Sequence, residues 1–297
     1  MAAEPGLGPE GAAASEFAPA KVNLYLHVRG RREDGYHLLD SLAVFPRTGD
    51  RLWAEPGPGL SLSVSGPFAD ALGAGPDNLV LRAAEALARR RPGAAGAALH
   101  LEKILPVASG IGGGSSDAGA ALRLLSRLWG CPVPEDLALA LGADVPVCLA
   151  ARPARMEGAG ERLSPAPRLP GCWMVLANPG VAVPTGRVFA ALDCRENPPG
   201  PPPPATGFDA VAPLVDWLRT QRNDLEGPAV ACCPAIGDVL EALSDAPLAR
   251  MSGSGATCFA LWPGEAEALA QADRLRRARP GWWVAAAPVP AAALAPV

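Results

Sequence analysis

Apolar positions along this chain recur in two rhythms, and their alternation predicts a mixed α and β fold. AKVNLYLHVRG (20–30) sets Val22, Leu24, Leu26 and Val28 against Asn23, Tyr25, His27 and Arg29, a period of two that predicts a strand. SLAVF (41–45) and LSLSVSG (60–66) predict two more strands. NLVLRAAEALARR (78–90) has apolar residues at helical spacing behind a capping Asp77–Asn78. AALHLEKIL (97–105) returns to the strand rhythm and AGAALRLLSRLWG (118–130) to the helical one. PEDLALALGADVPVCL (134–149) predicts a short helix, a turn and an apolar strand. The second half repeats the mixture, with strands CWMVLANPG (172–180) and TCFALW (257–262) and helices near FDAVAPLVDWLRT (208–220) and EAEALAQADRLRRA (265–278). ENPPGPPPPATG (196–207) is too proline-rich for a regular element and predicts a solvated loop.

Length then divides the picture. A chain of 297 residues accommodates two domains, each able to bury a core. The reading is a flexible tail over 1–15, an N-terminal domain over 16–165 and a C-terminal domain over 166–297. The hydrophobic fraction of 49% is that of a globular protein. A net charge of −4 gives no reason to expect nucleic acid, and no basic run suggests a membrane surface. No signal peptide or spanning segment is evident, so free thiols in a reducing cytoplasm are expected. The seven cysteines form no Cys-x-x-Cys pair and only three histidines accompany them, so no metal site is expected from side chains alone. Of the 26 basic residues, 24 are Arg, and only Lys21 and Lys103 are Lys.

Candidate chemistry centres on Pro106, Val107, Ala108, Ser109, Gly110, Ile111, Gly112, Gly113, Gly114, Ser115 and Ser116, between a strand and a helix. Glycines let backbone approach a ligand closely and take positive φ, so that successive N–H groups converge on one anion. A helix N-terminus behind them adds positive dipole, and phosphate is the expected guest. A Walker A loop would need a Lys that is absent, and a dinucleotide fingerprint begun at Gly110 would need glycine where Ser115 stands. Lys21, in a chain that otherwise uses Arg, suggests a compact point charge. Asp144, after Gly142-Ala143, either caps a turn or acts as a base. Lys103 is open between a surface lysine and a contact to phosphate or adenosine, and Asn78 is an N-cap.

The loop resembles the phosphate loop of the GHMP kinases, with Ile111 where Leu or Met is commoner. PAKVNLYLHVRGRREDGYHLLDSL (19–42) looks like the opening of one branch, the 4-diphosphocytidyl-2-C-methyl-D-erythritol kinases. LGADVPVCL (141–149), NPGVAVPTGRVF (178–189), NDLE (223–226) and MSGSGATCFAL (251–261) are similar to its later motifs, in the same order. The resemblance implies an α+β, two-domain GHMP kinase fold, ribosomal-protein-S5-like then ferredoxin-like, with ATP and substrate meeting in the cleft between the domains. It implies transfer of phosphate from ATP, with Mg2+, to the 2-hydroxyl of 4-diphosphocytidyl-2-C-methyl-D-erythritol in the non-mevalonate isoprenoid pathway. Lys21 and Asp144 become the catalytic pair, with Asp144 as base or orienting group, and Ser116 a candidate for the metal. To the cap at Asn78 the resemblance adds an approach to the nucleotide. Asn23, Tyr36, His37, Pro184, Thr185 and Phe189 fall on the substrate side, where the aromatic groups would sandwich a cytosine. A mevalonate or homoserine kinase, or a nucleotide-binding regulator without catalysis, are the alternatives.

Overall fold

The computed structural model describes residues 14–91 and 96–293. In chain order the elements are β1 (Ala14–Pro19), β2 (Val22–Arg31), β3 (His37–Val44), β4 (Gly49–Gly57), β5 (Leu60–Ser65), α1 (Ala69–Leu72), α2 (Leu79–Arg89) and β6 (Gly96–Glu102). Next come α3 (Gly113–Trp129), α4 (Glu135–Leu141), α5 (Val145–Ala150), β7 (Ala154–Gly158), β8 (Arg162–Pro165) and β9 (Cys172–Asn178). The chain continues through α6 (Thr185–Ala190), α7 (Val211–Arg219), α8 (Glu226–Cys232), α9 (Ala235–Ala242), β10 (Leu248–Met251), β11 (Cys258–Trp262), α10 (Glu265–Ala278) and β12 (Trp283–Val289).

These elements form two compact units that interleave in sequence. Of the described residues, the first takes 14–19, 49–91, 96–107 and 113–150. Its sheet has the order β1-β4-β6-β5, antiparallel except for the parallel β5–β6 pair. Against it pack α2 and α3, burying Leu52, Val80, Leu87, Leu99, Leu101, Leu122, Leu125 and Trp129 in one cluster. Asn78 caps α2, its Oδ1 accepting from Val80 N at 2.9 Å, as the sequence suggests. Gly119 lets α5 press onto α3: an added Cβ would stand 2.8 Å from the Cys148 backbone.

Of the described residues, the second unit takes 20–48, 108–112 and 151–293. It holds two sheets, β2-β3-β7-β8 and β10-β11-β9-β12, antiparallel throughout. Its core gathers Val28, Val175, Val188, Ile236, Val239, Met251 and Cys258. The strand β2 is buried on both faces, including Asn23, Tyr25 and His27, so its polar alternation marks internal partners rather than solvent.

Three expectations change. Ala14 and Ser15 belong to β1, paired with Ala54 and Trp53, while 1–13 lie outside the described residues. The apolar run after Asp144 is the helix α5, not a strand, because a six-residue run has no periodicity to distinguish the two. The segment 196–207 has no regular element but is well anchored: Trp217 Nε1 donates to the carbonyls of Pro201 and Pro202 at 3.0 and 3.2 Å, and Gln221 Nε2 to that of Pro201 at 2.9 Å. Prolines offer acceptors and no N–H, so the partners must all be donors.

Candidate active site

Within the second unit, the stretch 108–112 alternates in hand. Ala108, Gly110 and Gly112 have φ of 51°, 76° and 62°, while Ser109 and Ile111 between them do not enter the positive region. Alternation of this kind turns successive N–H groups toward one side and makes an anion-binding nest. Ala108 is the unexpected member, since a residue with a Cβ pays strain there that glycine does not. In sequence Gly113 follows directly and opens α3, so Gly113 and Gly114 are the first residues of a helix rather than part of a free loop.

The same unit fixes Lys21 to this stretch. Lys21 N donates to Ile111 O at 2.9 Å, and Lys21 Nζ donates to Asn23 Oδ1 at 2.9 Å. Asn23 Nδ2 donates in turn to Ser41 Oγ at 2.7 Å, and Ser41 Oγ to Tyr25 O at 2.5 Å. The chain of bonds sets the direction of the ammonium, which is buried with 4% exposure. The turn Ser252–Thr257 also bonds to the nest. Ser252 Oγ donates to Gly110 O at 3.0 Å, and Thr257 N donates to Ser109 O at 3.0 Å.

The substrate-side candidates also fall in this unit. His37 begins β3 and Phe189 lies in α6, and their rings stack with centroids 4.6 Å apart. Burial, with Arg31 and Arg195 nearby, pushes the His37 pKa down, so a neutral imidazole is favoured. Its Nε2 is buried and has no hydrogen-bond partner among the described residues. Tyr36 is 61% exposed on the preceding turn. Pro184 caps α6, and Thr185 Oγ1 lies 2.9 Å from Ser254 Oγ.

In the first unit, Asp144 directly precedes α5, and its carbonyl accepts from Cys148 N at 3.2 Å. Pro106 and Val107 lead out of a turn region after β6, and Ser115 and Ser116 lie in the first turns of α3. Ser116 is fully buried and its hydroxyl donates to Pro19 O at 2.6 Å, so the group considered for a metal is committed to β1. Lys103 is not a surface lysine. With 1% exposure, its ammonium donates to Asp50 Oδ2 and Asp117 Oδ2, each at 2.6 Å. Burial alone would lower its pKa, but the carboxylates of Asp117 and Asp50 outweigh this and raise it. Asp50 Oδ1 also accepts from Ile104 N at 2.6 Å and Leu105 N at 2.8 Å. Burial drives the Asp117 carboxyl well up despite Lys103, and its Oδ1 has no partner among the described residues. Asp50 carries no sequence signal of this role, standing 53 positions from Lys103. Asp117 lies inside α3, which begins at Gly113, where the apolar rhythm of the sequence marks the helix only from 118.

Among the described residues no group of three or more His, Cys, Asp or Glu could hold a metal ion, and no helix is long and apolar enough to cross a membrane. Cys131, Cys172, Cys194, Cys232, Cys233 and Cys258 are free thiols.

Comparison with known proteins agrees with this architecture. The family described as GHMP kinases N terminal domain matches residues 78–152, and that described as GHMP kinases C terminal matches 208–280. The 4-diphosphocytidyl-2-C-methyl-D-erythritol kinase of Cereibacter sphaeroides is 57% identical, covering 91% of this chain and 97% of that protein. The protein of the same name in Hyphomonas neptunium is 53% identical over 94% and 97%. A crystal structure of a 4-(cytidine 5'-diphospho)-2C-methyl-D-erythritol kinase superposes with a TM-score of 0.75 at 37% identity, covering 92% of this chain and 98% of that one. A homoserine kinase from Cytophaga hutchinsonii shares the fold alone, with a TM-score of 0.68 at 16% identity over 97% of each chain. With both halves of the fold matched and more than half of its residues shared along nearly the whole length, this chain belongs to the 4-diphosphocytidyl-2-C-methyl-D-erythritol kinase family of the GHMP kinases.

Proposed function

We propose that this chain transfers the γ-phosphoryl group of ATP to the 2-hydroxyl of 4-diphosphocytidyl-2-C-methyl-D-erythritol, a step of the non-mevalonate route to isoprenoids, in the cytoplasm. The observation that carries the reading is the alternating backbone at Ala108, Gly110 and Gly112, an anion nest with a lysine bonded to it through the backbone.

Phosphoryl transfer needs the polyphosphate held, charge neutralised and the hydroxyl aligned with the breaking bond. The nest supplies N–H donors for the phosphates. Lys21, held by Asn23, supplies a fixed positive charge toward the transferring group. Asp144 orients the hydroxyl and accepts its proton as the new O–P bond forms and ADP leaves. A loose transition state makes orientation the larger part of that task. Mg2+ supplies charge neutralisation when bound on the nucleotide. The residues present fit a metal that arrives with phosphate oxygens and water rather than one caged by side chains. The buried, unpartnered His37 Nε2 suits the polar edge of a base, with Phe189 and Tyr36 as aromatic surface beside it. Asn23 and the Pro184–Thr185 start of α6 face the remainder of the substrate in this reading.

The test is ADP release and product formation with the purified chain, ATP and Mg2+, using the cytidine-bearing acceptor, mevalonate and homoserine in parallel. Turnover with the cytidine compound alone is expected. Comparable turnover of mevalonate or homoserine overturns the branch, and ATP binding without turnover of any acceptor turns the protein into a nucleotide-binding regulator.

A further inference from the structure

The NDLE stretch (223–226) lies outside the roles above, yet Asn223 has every polar atom of its amide engaged. It is buried, on the segment between α7 and α8. Its Nδ2 donates to Met251 O and Gly253 O, both at 2.9 Å, and its Oδ1 accepts from Leu225 N at 3.0 Å. Three residues on, Glu226 Oε2 accepts from Met251 N at 2.8 Å. The two bonds from Nδ2 bracket Ser252, holding the carbonyls before and after it.

Ser252 is the residue through which this turn reaches the nest. Its Oγ donates to Gly110 O at 3.0 Å and accepts from Asn23 N at 3.1 Å, the neighbour on which Lys21 Nζ rests. Backbone fits against backbone there without slack. A Cβ at Gly110 would stand 2.5 Å from Ser252 O and 2.7 Å from both Gly255 N and Gly255 O. One at Gly253, whose φ is 55°, would stand 2.8 Å from Gly110 O. A shift of the turn therefore cannot be absorbed locally and passes to Gly110 and Asn23.

We propose that Asn223 is a positioning residue for phosphoryl transfer, setting the 251–253 turn so that Ser252 holds both the phosphate nest and the strand that carries Lys21. The proposal rests on the kinase reading above. Only a carboxamide meets the requirement, because it combines two N–H donors with one acceptor on a short side chain. Asp has the same shape and retains the acceptor for Leu225 N. It sets an oxygen against two carbonyl oxygens, and so separates the bond to Leu225 N from the grip on the turn.

The experiment compares wild type, Asn223→Asp, Ser252→Ala and the double variant. It measures steady-state constants for both substrates, ATP affinity by calorimetry and the thermal midpoint. Asn223→Asp is expected to lower kcat/KM for ATP about 10- to 100-fold, the scale on which a misplacement of about 1 Å acts. KM for the cytidine-bearing substrate should change less than about threefold. Because Asn223 acts through Ser252, the double variant should be no worse than about threefold below the weaker single variant, where independent effects would multiply. A folded Asn223→Asp protein with near-normal kcat/KM and ATP affinity overturns the proposal, as do single effects that multiply. Should Asn223→Asp fail to fold, Ser252→Ala decides alone: it must weaken ATP binding at least about fivefold, and unchanged affinity overturns the link. A wild type that binds ATP but phosphorylates no acceptor overturns the kinase reading, and calorimetry then judges whether Asn223 sets the nest.

Discussion

The rings of His37 and Phe189 already lie face to face, with centroids 4.6 Å apart and planes 22° from parallel. No third ring fits between them at that spacing. A cytosine held here, as the proposed function has it, would stack on an outer face or part the pair.

Phe189→Ala removes one member of this stack. Loss of one base-stacking face is worth roughly 1–3 kcal/mol, or about a 5- to 150-fold rise in KM for the cytidine-bearing substrate. KM for ATP should hardly move. Equal weakening of both substrates would make Phe189 part of the core it borders and no part of a base pocket.

Glycines near the nest separate by what surrounds them. Gly112 has positive φ, and a Cβ at Gly113 would stand 3.1 Å from Lys103 Nζ, so substitution at either strains the fold itself. Gly114 has open space. Gly114→Val should therefore keep its thermal midpoint within a few degrees and lose ATP affinity by about tenfold or more, a phosphate contact being displaced. Calorimetry showing wild-type affinity for ATP would remove the phosphates from this turn.

Lys21→Met and Asp144→Asn test the proposed catalytic pair. Each should lower kcat by about 10²-fold or more, the range of positioned electrostatic and acid–base groups. ATP and the acceptor should still bind. Near-normal turnover in either variant would return that residue to a structural role.

Lys103 belongs to a different experiment. Lys103→Met strands Asp50 and Asp117 together in the interior, and breaking a buried pair costs about 3–5 kcal/mol. Urea unfolding should show a loss of that size. A loss below about 1 kcal/mol would mean that the two carboxyls accommodate each other without the ammonium.

What could be read beforehand follows from distance along the chain. The α2 helix and its Asn78 cap, the β2 strand and the glycine stretch are encoded within a dozen residues, and each was legible. β4 was not, because Arg51, Glu55 and Pro56 interrupt its apolar rhythm and only its pairing with β1 and β6 defines it. The site behaves likewise. Gly110 and Gly112 announce themselves by residue type, whereas Ala108 at positive φ does not. Lys103, Asp50 and Ser252 acquire their roles from partners far away in sequence, to which no local pattern points.

His27 gives the chain a defined acid sensitivity. Burial, and then the Arg222 charge, lower its pKa to about 4, with Asp224 and Asp40 opposing and Arg250 assisting. Its Nδ1 is buried without a partner among the described residues. The unfolded chain, titrating near 6.5, binds the proton first. Stability contributed by the neutral ring is thus full above about pH 6.5, falls as pH drops toward about 4, and falls no further below that. The loss is on the order of 3 kcal/mol at most. His27→Gln should flatten this part of the profile in urea unfolding at a series of pH values. An unchanged slope would assign the sensitivity to other groups.

Lys21 and Lys103 are the only lysines of the chain, and both are buried. The folded surface consequently offers arginine guanidinium but no lysine amine to acylating or cross-linking reagents, apart from the amine that begins any chain. Amine-directed labelling becomes a clock on opening: Lys103 reports rupture of its unit's core, and Lys21 reports access to the nest.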